Sequence, residues 1–272
     1  MREIGSEYWL EYSSAVAEKD SFYKLVDFGR DKKFLYTGRT AIDYVLEDVI
    51  QPISSVYMPS YCCSSMLQPF LERGIRIEFY QVTYNSNGII YDIDFNKDVD
   101  IFFANSYFGY SSTVMDDIIR EYKKKNIIVM EDITHRLLTE KNNSGLADYY
   151  IASLRKWFPI PSGGLAVKQN GSFKEIPLLS PPHTIIKKKN SAMIKKREYM
   201  SDITLKEKSG FLSLFAEFNN DIRNNYKSLL IDDLSYKIIS ETNITQLKHK
   251  RKENVKFIYT NLKAAKGITF LI

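Results

Sequence analysis

The chain has 272 residues, 44% of them hydrophobic and 14% aromatic. That is enough apolar material for a packed core and excludes a disordered or fibrous chain, so one large domain, or one domain with an appendage, is expected. The net charge of +5 is modest, and no segment approaches the ~18 uninterrupted apolar residues of a membrane span, so neither nucleic acid nor a bilayer is an expected partner.

The opening residues, MREIGSEYWLEY, carry charges where a secretory signal has an apolar stretch, and residues 1–29 read as an N-terminal arm. A cytoplasmic protein is the expectation. Next comes YTGRTAIDYV, residues 36–45, in which Gly38 permits a tight turn and Arg39 and Thr40 open a helix whose free N–H groups can hold a phosphate. That helix, TAIDYVLEDVI, aligns Ala41, Tyr44, Val45 and Val49 on one stripe. The run SVYMP is a strand, and SSMLQPFLERG is a helix closed by Gly74. Just before it, Cys62 and Cys63 are adjacent, poorly placed to pair with each other or to hold zinc, and read as reduced thiols.

Further strands are IRIEFYQV, VDIFFANS, NIIVME, ADYYIASL and GLAVKQ, several of them apolar on both faces. Between them, STVMDDIIREYKKK puts Val114, Ile118, Ile119 and Tyr122 together and ends in lysines that suit the helix dipole. This alternation predicts an α/β protein with a mostly parallel sheet covered on both sides. The link from SLRK to GGLAV is too short for a helical crossover, so GLAVKQ is expected to run antiparallel.

Asn170 to Lys206 reads as an irregular loop, with its basic run at 187–197 taken as a solvated face, as is the run at 248–256. From about residue 210 two long helical patterns follow, FLSLFAEFNNDIRNNYKSLL and ITQLKHKRKENVKFIYTNLK, and the closing KGITFLI resembles the start of a strand.

Ligands of open α/β sheets bind at the carboxyl ends of the strands. Asp132 follows NIIVM and Lys156 follows DYYIASL, so two neighbouring parallel strands would bring both into one cleft. A buried ion pair would explain the two residues equally well. The helix N-terminus at Gly38 adds a phosphate site, and phosphate, acid and lysine together suggest pyridoxal 5′-phosphate. That cofactor needs an amine for its aldehyde, a carboxylate for its ring nitrogen and a phosphate cradle.

The segments EIGSE, TGRTAI, MPSYCCSSMLQPF, YFGY, EDITH, SLRKWFPIPSGG and KRKENVKFIYTNL, spread over nearly the whole chain, resemble the DegT-type sugar aminotransferases among the fold type I pyridoxal-phosphate enzymes. The resemblance implies an α/β fold with a mostly parallel seven-stranded sheet, one antiparallel strand and helices on both faces. It implies that Lys156 carries the cofactor, that Asp132 faces the ring nitrogen and that His135 lies near the ring hydroxyl. Gly38, Arg39, Thr40 and Ser153 would form the phosphate cup. An aromatic residue usually stacks on the ring; Cys63 occupies the matching region here, and Tyr61 is the substitute. A homodimer is also implied, and the aromatic IGSEYWLEY and the helices after 210 offer surface for it.

The implied activity moves an amino group from an amino acid such as glutamate to a keto sugar, nucleotide-linked, for surface polysaccharide or amino-sugar synthesis. The large domain would span residues 30–205, and residues 206–272 would lead into a shortened C-terminal subdomain. Two other readings stand beside this one: a non-catalytic binding or assembly subunit on the same scaffold, and a different pyridoxal-phosphate reaction such as elimination. His135 could equally cap a helix or satisfy a carbonyl. His183 and His249 read as surface residues, and nothing in the sequence points to a metal.

Overall fold

The first elements are a short helix α1 (Ser21–Leu25), an edge strand β1 (Asp31–Leu35) and helix α2 (Gly38–Asp48). This is a computed structural model that describes residues 7–10, 21–85, 88–109, 113–202 and 207–261. Strand β2 (Ser55–Pro59) is buried along its whole length and leads to α3 (Ser64–Leu71), whose chain is turned by Gly74 at φ +69° before the long β3 (Arg76–Asn85). A hairpin then returns as β4 (Gly88–Asp92). Strand β5 (Ile101–Asn105), helix α4 (Thr113–Lys124), β6 (Ile128–Asp132), β7 (Tyr149–Ser153) and β8 (Gly164–Lys168) complete the sheet. Four helices follow: α5 (His183–Ser201), α6 (Ser209–Asn224), α7 (Asp233–Glu241) and α8 (Ile244–Asn261).

The strand order is β1-β8-β7-β6-β5-β2-β3-β4. Strands β3, β2, β5, β6 and β7 are parallel, whereas β8 runs antiparallel between β7 and β1. The sheet therefore contains seven strands with one reversed, the number the resemblance implied although β1 was not foreseen, and is extended to eight by the second reversed strand, β4. Alternate residues of each central strand feed opposite layers, as the two-residue period requires. Val56, Met58, Ile101, Phe103, Met130 and Ile151 pack with α2 and α3. On the other face Tyr57, Phe102, Val129, Tyr150 and Ala152 pack with α1, α4 and α7. Tyr122 of α4 lies flat on Phe102, with ring centroids 4.0 Å apart. Each such fully buried side chain stabilises the fold by roughly 1.5–3 kcal/mol relative to exposure.

Several sequence expectations are corrected. On α4 the buried stripe is Met115, Ile118, Ile119 and Tyr122, whereas Val114 is exposed. The stretch taken as an irregular loop contains the 19-residue α5, and its basic run is not a uniformly solvated face, because Lys189 and Lys196 are buried. His183 is the first residue of that helix rather than part of a loop, and it is exposed, like His249 on α8. The pattern from 211 to 230 is helical only to Asn224; beyond it Leu229 and Leu230 extend to pair with Leu179 and Leu35. The expected strand KGITFLI lies outside the described residues.

Leu10 and the aromatics of α6 do not form free surface. Leu10, Phe211 and Phe215 pack with Ala192 and Met193 of α5, and Phe218 packs with Tyr36. No helix among the described residues is long and apolar enough to cross a membrane, and no cluster of His, Cys, Asp and Glu among them could hold a metal ion.

Candidate active site

The carboxyl ends of β5, β6 and β7 deliver Asn105, Asp132 and Ser153 to one edge of the sheet, where Asn105 and Asp132 are register partners. A cleft of about 1000 Å³ opens there, lined by these three residues together with Gly38, Arg39, Tyr61, Cys63, Tyr107, His135, Arg155 and Lys156. Strands β6 and β7 are parallel neighbours, so Asp132 and Lys156 reach the same cleft from adjacent strand ends.

Thr134 organises the acid. Its N–H donates to Asp132 Oδ1 at 2.8 Å, its hydroxyl oxygen accepts from the Ser153 N–H at 2.9 Å, and its carbonyl accepts from the Trp157 indole N–H. Asp132 is buried, and among the described residues no cation lies within ion-pair distance of it. Burial raises its pKa above the ordinary carboxylate value, while Thr134, His135 and Lys156 act in the opposite sense. A buried acid of this kind favours a protonated partner that supplies the missing positive charge. His135 stacks on Phe108 with centroids 5.4 Å apart, and its Nδ1 accepts the Phe108 N–H at 3.2 Å. Burial lowers its pKa, so the neutral ring carries its proton on Nε2, free to donate.

On the facing side Thr37 caps α2 through a reciprocal bond with Thr40. The Thr40 N–H and hydroxyl are consumed by Thr37 and by the Tyr226 carbonyl, and Thr40 does not line the cleft. The next N–H groups back, those of Gly38 and Arg39, have no acceptor among the described residues and form the open turn of the helix. Gly38 lies against Ser153, where a Cβ would come within 3.0 Å of the Ser153 Cβ. Among the described residues the Arg39 guanidinium donates to the carbonyls of Ser65 and Ile222; it lies over the Tyr226 ring, and burial lowers its pKa. These donors, with the Ser153 hydroxyl, suit an anion.

Lys156 closes a short 3-10 turn after β7 (Leu154–Lys156). Its side chain is exposed to the cleft, and its amine has no hydrogen-bond or ion-pair partner among the described residues. Its carbonyl accepts from the Tyr8 hydroxyl at 3.1 Å. Tyr61 is exposed and tilts against Tyr107, whose hydroxyl donates to the Tyr61 carbonyl, while the Cys63 thiol is bonded to the Ser65 hydroxyl at 2.7 Å.

Sequence reasoning missed Asn105, Thr134, Tyr107, Arg155, Glu7 and Tyr8. Asn105 was accessible to it, since it ends an apolar run as Asp132 does. Arg155 adjoins Lys156, and Thr134 lies between two singled-out residues. Glu7 and Tyr8 lie in segments that the resemblance and the dimer surface drew on, but nothing marked them for the cleft, because the fold alone brings them across to Arg155 and Lys156.

No family model matches the sequence, and no curated protein matches it. Solved structures do. Cystathione gamma lyase (CalE6) from Micromonospora echinospora superposes over 93% of this chain and 57% of its own, with TM-score 0.53 and 11% identity. Apo CalE6, described as a methionine gamma lyase from the same organism, gives 0.52 at 10% identity, over 93% of this chain and 59% of its own. The aminotransferase TlmJ from Streptoalloteichus hindustanus matches over 56% of this chain and 44% of its own, with TM-score 0.46 and 14% identity. The chain thus spans less than two thirds of the length of each. It has the fold of the type I pyridoxal-phosphate enzymes.

Proposed function

We propose that this chain is a pyridoxal-phosphate-dependent aminotransferase of the DegT type that passes an amino group from an amino acid, glutamate in the first instance, to a keto sugar carried on a nucleotide. One observation carries the reading. Among the described residues, a lysine amine without a partner and a buried carboxyl without an ion pair face one cleft, which the open N-terminus of a helix also lines. An ion pair between Lys156 and Asp132, the simpler explanation of the two residues, is not formed.

The residues present fit the cofactor. Gly38 and Arg39 N–H groups, the Arg39 guanidinium and the Ser153 hydroxyl would hold its phosphate. Asp132 would hold the proton on its ring nitrogen, and His135 Nε2 would donate to its ring oxygen. Pyridoxal phosphate supplies an electrophilic carbon and a ring that accepts electrons. Lys156 supplies the amine that retains it covalently. Released by the donor's amino group, Lys156 Nζ would carry a proton away from the donor α-carbon and, in the reverse half of the transfer, deliver one to the acceptor carbon. Asp132 acts through charge alone. Tyr107 and Tyr61 line the cleft.

A homodimer belongs to the same proposal. Tyr61 at the cleft, Phe108 stacked on His135, and Val255, Phe257 and Ile258 on α8 expose large apolar surface. The test is direct. Purified protein mixed with pyridoxal phosphate should develop the visible absorbance of a lysine-bound cofactor, fixed by borohydride onto the Lys156 peptide and discharged by glutamate. Absence of that band, or borohydride labelling elsewhere, refutes the reading.

A further inference from the structure

We propose that Arg155 and Lys189 form a carboxylate subsite beside the Lys156 amine, and that Glu7 occupies it in cis until the carboxylate of an α-amino or α-keto acid takes its place. This rests on the proposed function only in taking Lys156 as the reacting amine.

Two cations converge on one carboxylate here. Lys189 Nζ lies 2.7 Å from Glu7 Oε2, and Arg155 Nη2 lies 3.5 Å from Oε1. Both cations are held against aromatic rings: Lys189 Nζ is 4.4 Å from the Phe215 centroid and 4.8 Å from that of Phe218, and Arg155 Cζ is 5.2 Å from that of Phe218. Two desolvated like charges are costly without an anion between them. Burial and the Arg155 charge hold the Lys189 pKa down to about 7, against the pull of Glu7. The place therefore demands a carboxylate.

Glu7 is a provisional occupant on three grounds. It belongs to a short stretch, Glu7–Leu10, that forms neither helix nor strand. Its side chain is 32% exposed whereas that of Lys189 is 1% exposed, so the carboxylate reaches in from the cleft by the route an incoming acid would use. And it leaves Arg155 under-used: the contact is long, and the buried Nε has no hydrogen-bond partner among the described residues. A free carboxylate able to engage the guanidinium through two parallel bonds gains what Glu7 does not. Glu7, Arg155 and Lys156 line the same cleft, so an acid bound there presents its α-carbon side toward the amine. The Tyr8 bond to the Lys156 carbonyl and the Lys196 bond to the Glu7 carbonyl tie the strap to that state.

The experiment uses the full chain without cofactor and glutarate as the probe, since glutarate has no amino or keto group to react. Calorimetry should show Glu7→Gln binding glutarate at least 10-fold more tightly than the parent, and Arg155→Met removing binding in both backgrounds. In the parent, which no substitution can misfold, saturating glutarate should speed hydrogen exchange in the peptide holding Glu7–Leu10. Equal affinity of Glu7→Gln and parent, binding that survives Arg155→Met, or unchanged exchange under saturation each overturns the proposal. Cofactor uptake is read separately by absorbance. Uptake without competition sinks the subsite alone, and competition without uptake sinks the catalytic reading alone.

Discussion

Gly38 and Ser153 touch in the wall of the cleft so closely that a side-chain carbon on residue 38 would meet the Ser153 Cβ at 3.0 Å. The contact sets the distance between the open end of α2 and the end of β7. Gly38→Ala is expected to cost about 1–3 kcal/mol by overpacking and to weaken pyridoxal-phosphate binding at least 10-fold. Adding Ser153→Gly should restore the stability, read by urea unfolding, but not the affinity, because the hydroxyl is lost with the clash. Recovery of both would show that Ser153 contributes shape and no bond.

Thr134 links three elements through one residue, with bonds to Asp132, Ser153 and Trp157. Thr134→Val keeps the shape but strips the acceptor from the Ser153 N–H, a loss expected to cost about 1–3 kcal/mol. Thr134→Ser should recover most of it. Equal stability of the valine variant would mean that water replaces the hydroxyl.

For Asp132 the expected changes in activity and stability have opposite signs. Its folded pKa lies above the ordinary value, so the folded state binds the extra proton, and stability falls as pH rises from the unfolded pKa through the folded one. Asp132→Asn should therefore melt higher than the parent at neutral pH. It should retain cofactor yet transfer amino groups roughly 100-fold more slowly or worse, because an amide cannot hold the ring nitrogen protonated. Parent-like turnover would make the acid purely structural.

Lys189 predicts a pH profile. Its folded pKa is lowered to about 7 from 10.5, so between those values the unfolded chain binds the additional proton and stability rises with pH, by up to ~1.4 kcal/mol per unit. Glu7, Arg155 and Lys196 are the charged groups that face it. Urea midpoints of the parent should climb from pH 7 to 9, whereas those of Lys189→Met should stay flat. A parallel climb in both would assign the effect to another group.

The central strands were legible because SVYMP, VDIFFANS and NIIVME are apolar on both faces, which only a sheet covered on both sides accommodates, whereas their order in the sheet was not. β1 and β4 were not, since DKKFL and GIIYD are edge strands whose ladders are only half used and whose composition is mixed. Likewise α5 was hidden by its lysines. Charge in a sequence reads as solvated surface, and nothing local reveals that Glu7 and two phenylalanines of α6 will meet Lys189.

Sequence alone determined that an acid and a lysine end successive apolar runs and that a glycine opens a capped helix, because strand ends and helix starts are written in short periods and single residues. Only tertiary structure decided which groups face the cleft. It turned Thr40 inward to Tyr226, left the Lys156 amine and the buried Asp132 without an ion-pair partner among the described residues, and laid Glu7 on Arg155. Those outcomes depend on contacts between residues far apart in the chain, and on how much water the packing between them excludes, which no local pattern encodes.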